Sequence, residues 1–217
     1  MKYAKLFLFV FIVISSIHTT IDAQEVIDDY FNRGYVYAER GFVAEGIKEF
    51  NTVLSLNPTN EMAVRSHFNL GVLYSKINQP QNAIRHFEEA CAMNPNQFLL
   101  HWHLANLYKS IEDYEKTLFN FKRALELDPN YRDVYTLYYN IGYAYIKLDK
   151  NNEAIESLTK ALEYQPQHDG ILSLLAQAHF NLAKYDHTEA YLNRLENLGY
   201  PQRDFFEKLK KARAGNR

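Results

Sequence analysis

His101 and His103 flank Trp102, two imidazoles close enough in sequence to suggest a metal grip. On a helix, however, residues two apart point about 200° apart, so this pair cannot chelate one ion. His67 and His101 occupy equivalent places in neighbouring stretches of the chain, which favours a structural or groove role. The acid pairs Asp28-Asp29 and Glu88-Glu89 could divide general-acid and general-base work, but sequence neighbours on a helix read as solvated faces. Cys91 is the only cysteine, which excludes an intrachain disulfide and a Cys-rich zinc site. With no His-Asp partner evident in sequence, it reads as a small packed residue rather than a nucleophile. No G-x-S-x-G, H-E-x-x-H, Walker-type or dinucleotide-binding glycine pattern occurs. The expectation is therefore no catalytic residue, no metal ligand and no cofactor.

If the chemistry is not covalent, it must lie in surfaces, and the elements that build them come next. The chain has 217 residues, ample for a core, and its 24 basic against 26 acidic residues give no bulk electrostatic pull toward nucleic acid. Hydrophobic residues make up 47%, which argues against disorder. The aromatic load is high for that size, with Tyr 17, Phe 14 and Trp 1 to be placed.

The first residues read as an address. Lys2 and Lys5 precede the apolar run Leu6–Ile14, polar residues follow, and a small residue stands at Ala23. This is the layout of a cleavable export signal over 1–23, too short an apolar stretch to span a bilayer. The expected product is exported without an integral membrane span, to the periplasm or the extracellular space.

From there the sequence repeats. Prolines stand at Pro58, Pro95, Pro129, Pro166 and Pro201, at intervals of 37, 34, 37 and 35 residues. Upstream of each lies a small residue, namely Gly34, Gly71, Ala105, Gly142 and Ala176, followed three places on by Tyr37, Tyr74, Tyr108, Tyr145 and His179. Twelve residues after the small position come Gly46, Ala83, Thr117, Ala154 and Thr188, and four later Phe50, Phe87, Phe121, Leu158 and Leu192. Three beyond those come Val53, Ala90, Ala124, Ala161 and Leu195. Steps of four and three put these on one face of a second helix. Small residues let the two helices approach, aromatics fill the gap, and proline stops the second helix.

The phrases FNLGVLY…NAIRHFEEACAMNP and YNIGYAYIKL…NEAIESLTKALEYQP make this pattern resemble the tetratricopeptide repeat family. The resemblance covers 174 residues and implies an all-α solenoid of about five helix-turn-helix units. Their expected bounds are 27–60, 64–97, 98–131, 135–168 and 169–202, with a capping helix and tail over 203–217. Phe205, Phe206 and Leu209 would cover the last unit. Three extra residues after Pro58 and after Pro129 predict that the following first helices start a turn early.

The resemblance further implies a concave groove lined by the first helices. The position two before each small residue should point into it, giving Asn32, Asn69, His103, Asn140 and Leu174. Three asparagines in register can pair with the backbone of an extended peptide, or can be ordinary solvated side chains. Three residues on, the same stripe carries Tyr35, Val72, Asn106, Tyr143 and Gln177. A flanking row, Phe31, Phe68, Trp102 and Tyr139, either packs against a neighbouring helix or anchors a partner. Cytosolic members of the family grip acidic C-termini with a clamp of basic residues and asparagines. Arg65 and Asn69 match its opening pair, but His103, Thr136 and Asn140 follow without the closing basic residues, so that clamp is not expected. The sequence thus points to an exported, non-enzymatic adaptor that holds an extended segment of another protein. The alternative is a structural or homo-oligomerising module of an envelope complex that uses its convex or end surfaces.

Overall fold

The computed structural model describes residues 23–215, so the expected signal lies outside the described residues save for Ala23. Within this range are eleven helices and no strand. The chain divides into two compact units after Pro95.

The first unit holds α1 (residues 23–39), α2 (Val43–Ser55), α3 (Asn60–Lys76) and α4 (Pro80–Met93). Helix α1 meets α2 where Phe31 packs edge-on against Phe50, 5.4 Å between ring centres. Helix α3 packs on both α2 and α4. The second unit holds α5 (Phe98–Ser110), α6 (Tyr114–Leu127), α7 (Val134–Lys147), α8 (Asn151–Tyr164), α9 (Asp169–Asn181), α10 (Tyr185–Asn197) and α11 (Arg203–Gly215). Each of these packs against the next, and α7 also touches α9.

The repeat positions are the core. Phe50, Phe87, Phe121, Leu158 and Leu192 are fully buried, as are Ala83, Thr117, Ala154 and Thr188. The small-residue slots are steric necessities. A Cβ on Gly71 would stand 2.7 Å from the Phe87 ring, and one on Gly142 would stand 2.5 Å from Leu158 Cγ. Arg33 is the first repeat's departure: where the others bury Leu70, Leu104, Ile141 and Leu175, it stays half in solvent and pairs with Glu49 at 3.0 Å.

Every first helix ends in the same way. Seven residues after the small position, Gly41, Asn78, Glu112, Asp149 and Ala183 adopt φ between +54° and +80°. The next amide then donates back to the carbonyl of Tyr37, Tyr74, Tyr108, Tyr145 or His179, at 2.8–3.0 Å. This is the left-handed helix stop that satisfies otherwise orphaned carbonyls. His179 occupies the tyrosine position in the fifth pair without changing the backbone.

Helix α3 does start early, and runs 17 residues with Thr59 accepting the Met62 amide at its start. Helix α7 does not, and the expectation fails there. Asp133 makes no side-chain cap at its N-terminus, and Tyr131 swings onto the Phe98 ring at 4.7 Å. The extra residues after Pro129 are spent on a turn closed by Val134 N to Tyr131 O, 2.9 Å, instead of on helix. The shifted proline of the last pair has its own cause. Gly199, at φ +87°, adds a left-handed residue after α10 before Pro201.

Helix α11 covers the end of the second unit. Leu209 is buried with Leu172, Ala176, Leu192 and Leu195, and Phe205 and Phe206 pack on that cluster. Arg213 pairs with Asp186 at 2.7 Å and Glu189 at 2.8 Å, so its charge is answered by α10.

Candidate functional site

The amide row is the part of the surface that repeats. In the first unit Asn32 and Tyr35 are exposed on α1, and Asn69 is half-buried on α3. In the second unit His103 and Asn106 on α5, and Asn140 and Tyr143 on α7, are all half-buried. Three of the asparagines take one pose. Asn69 Nδ2 donates to Arg65 O at 2.9 Å, Asn106 Nδ2 to Trp102 O at 2.8 Å, and Asn140 Nδ2 to Thr136 O at 2.7 Å. Each amide spends one N–H on the carbonyl a turn earlier in its own helix. One N–H of each remains for other partners, while of the side-chain carbonyls that of Asn140 already accepts from Lys109. A side chain tied in this way loses less freedom when a ligand arrives.

The flanking aromatics divide. Phe31 is buried to 4% exposure beneath Phe50, and Arg65 of α3 lies 4.5 Å over its ring, so it takes the packing role. Phe68 is half-buried with its ring edge-on to Phe87 at 5.6 Å. Trp102 packs against the Phe121 cluster while remaining half-buried, and Tyr139 is half-buried beside His168 at 5.8 Å. Burial raises the pKa of Tyr139, with Tyr143 and Asp169 adding to the effect. Burial also lowers the pKa of His103, which favours the neutral imidazole.

The second unit adds residues that the sequence reading passed over. Lys109 Nζ, on α5, donates to Asn140 Oδ1 on α7 at 2.8 Å, joining two first helices directly. One turn beyond Tyr143, Lys147 stands over the rings of Tyr143 at 5.5 Å and Tyr114 at 5.9 Å. Those two rings meet edge-on at 6.1 Å. Burial raises the pKa of Tyr114, helped by its hydrogen bond to Tyr143 and by nearby Glu112. A signal for Lys109 did exist. The position four after the small residue is otherwise Ala38, Ser75, Ile146 and Phe180, so a lysine there breaks an uncharged column.

The suspected metal pair separates as helix geometry requires. His101 is buried, with Nδ1 2.9 Å from Asn120 Oδ1, while His103 lies on the amide row. His67, the equivalent of His101, faces His86, Nδ1 to Nδ1, at 3.0 Å. Among the described residues no cluster of three or more His, Cys, Asp or Glu is placed to hold a metal, and no helix is long and apolar enough to cross a membrane.

Comparison with known proteins agrees with the repeat architecture. Tetratricopeptide repeat models match residues 29–96, and residues 100–131 and 135–168, together more than half of the chain. The solved structure of MamA superposes with a TM-score of 0.70 at 21% identity, over 79% of this chain and 91% of that one, which is a likeness of fold. Among curated proteins, the chain is 30% identical over 84 residues to the Hsp70-Hsp90 organising protein of Plasmodium falciparum, covering 37% of this chain. It is also 24% identical over 100 residues to the human tetratricopeptide repeat protein 6, covering 46% of this chain. The chain spans less than a fifth of either relative, 15% and 18% of their lengths.

Proposed function

Because the chain belongs to the tetratricopeptide repeat family, we propose that it is a non-enzymatic adaptor holding an extended segment of another protein against its first helices. The observation that carries this reading is the common pose of Asn69, Asn106 and Asn140, each fixed by its own helix with hydrogen-bonding capacity left over. Amide side chains fixed in one pose on successive first helices suit a peptide backbone, whose donors and acceptors recur whatever its side chains are. Affinity in such a mode comes from main-chain pairing, and flanking side chains supply selectivity. Tyr35, half exposed at 51%, and Tyr143 offer rings and hydroxyls beside the row.

The adaptor works outside the cytoplasm on this reading, most simply in a periplasm. The support is Lys2 and Lys5 ahead of Leu6–Ile14, with Ala23 closing the segment. N-terminal sequencing of the protein from its native compartment should begin at or near Gln24; an intact Met1 there would overturn export.

The test of the adaptor itself is capture of short peptides on an array by the chain and by the double variant Asn69→Ala, Asn140→Ala. Each lost hydrogen bond is worth about 1 kcal/mol, so capture should weaken roughly tenfold or more. Capture that is equal in both proteins would remove the amide row from the mechanism.

A further inference from the structure

Lys109 is out of place for a surface lysine. Its ammonium is half-buried between α5 and α7, and its hydrogen bond goes to a neutral amide oxygen, Asn140 Oδ1 at 2.8 Å. Among the described residues no carboxylate lies within ion-pair distance of it. The acids of this part of the unit are engaged or turned elsewhere. Asp113 accepts the Lys116 amide at the start of α6, Glu112 lies near Tyr114, and Asp169 lies near Tyr139 and His168. Taking a charge partly out of water without a counterion costs free energy, which an arriving anion returns. Burial accordingly lowers the pKa of Lys109 below the ordinary lysine value, and no nearby acid offsets it.

We propose that Lys109, with Asn140 and Asn106, forms a receptor for one carboxylate, the side chain of an Asp or Glu in the segment bound by the second unit. An ammonium has three donors, of which the contact to Asn140 uses one. Asn106 and Asn140 each keep a second N–H after bonding their own helices. Lys147, held over Tyr114 and Tyr143, adds positive potential on the same helix as Asn140, and among the described residues no acid lies at ion-pair distance from it. One partly desolvated ammonium matches a single negative charge, and that stoichiometry favours a carboxylate over a doubly charged phosphate. The receptor differs from the clamp considered above, since the matching basic residue Arg65 stands six places before its small residue Gly71, whereas Lys109 stands four places after Ala105. It turns a backbone-reading face into one that selects an acidic residue at one place in the partner.

This inference rests on the adaptor reading, and the experiment separates the two. The full chain is offered matched short peptides that differ at one position as Glu, Gln or phosphoserine, and binding is followed by fluorescence anisotropy. Some Glu peptide should bind about tenfold tighter than its Gln twin, with the gap shrinking as NaCl rises. Lys109→Met keeps the aliphatic stem and should bring the gap to within about twofold, while Lys109→Arg should retain part of it. Should Lys109→Met fail to fold, as judged by circular dichroism, the 15N resonance of Lys109 Nζ in the unaltered chain gives the same answer. It should shift with the Glu peptide and stay in place with the Gln peptide. Glu and Gln twins bound equally would overturn the receptor and leave the adaptor standing, and so would a gap that survives Lys109→Met. A preference for phosphoserine over Glu would overturn the carboxylate assignment. Capture of no peptide at all would overturn the adaptor reading and the receptor with it.

Discussion

A histidine pair, His86 buried and His67 half-buried, shows how far a few atoms determine the behaviour of the first unit. Arg85 Nη2 lies 3.1 Å from His86 Nε2, and an arginine can only donate, so that nitrogen must accept. The proton of neutral His86 then sits on Nδ1 and is donated to His67 Nδ1 at 3.0 Å. Tyr74 stacks on the His86 ring at 5.3 Å and closes the site. Protonating His86 would aim a new N–H at the guanidinium. Burial, Arg85 and His67 together hold its pKa down at about 4, and His67 is lowered too, chiefly by burial, although Glu89 pulls the other way. The folded state therefore releases a proton that the unfolded chain, titrating near 6.5, still binds between about pH 6.5 and 4. Stability is full above that window and falls as pH drops through it. Urea midpoints at pH 7 and pH 4.5 should show a loss of about 1–2 kcal/mol from this site. His86→Gln should shrink that loss, although His179, held at about 4 for similar reasons beside His187 and Lys184, keeps part of it. An undiminished acid loss in His86→Gln would contradict the tautomer assignment. The roles of these histidines lie beyond single-sequence reasoning, because His67 and His86 are 19 residues apart and only packing aligns their rings.

At the scale of the helix, two kinds of position differ in how openly the sequence announces them. Gly71 and Gly142 are legible because sterics admit little else, and the recurrence of small residues every 34 to 37 positions marks them. Gly142→Ala should cost the second unit about 1–3 kcal/mol, since Leu158 already fills the space a Cβ would need. The left-handed stop seven residues later is just as regular in backbone terms, yet it is occupied by Gly41, Asn78, Glu112, Asp149 and Ala183. Nothing in those side chains repeats, so the sequence hides it. Ala183, at φ +54°, has no polar side chain to ease the conformation. Ala183→Gly should therefore raise stability by about 0.5–1 kcal/mol, despite the greater freedom of glycine in the unfolded chain. A lower melting temperature in that variant would show that the stop carries no strain. The start of α7 is hidden for a related reason, since the count of extra residues is visible in the sequence but the attraction of Tyr131 to Phe98 is not. Lys109 was missed because its meaning depends on Asn140, 31 residues away.

Across the whole chain, stability is built from neighbours. Each helix of the second unit packs on the next, and the buried residues form successive clusters around Phe121, Leu158 and Leu192, with no single centre. The first unit has its own cluster around Phe50 and Leu73. Chains of this design behave as sums of local terms, and their ends need a cover with a polar outer face. Helix α11 is that cover, and Leu209, exposed by only 3%, is its deepest residue, packed among Leu172, Ala176, Leu192 and Leu195. Leu209→Ala should cost about 2–5 kcal/mol locally. Because the coupling is to neighbours, the effect should fade along the chain. Amide exchange should quicken in α9, α10 and α11, change less in α7, and remain as it was in α3 and α4. Loosening the cover also bares an apolar end of the kind that seeks a second copy. Light scattering should then show the variant associating more strongly than the unaltered chain. Uniformly faster exchange across both units would mean that the molecule opens as one cooperative body. If the unaltered chain were a stable dimer that lost its dimerisation on Leu209→Ala, α11 would be an assembly surface, and the structural-module alternative would displace the adaptor.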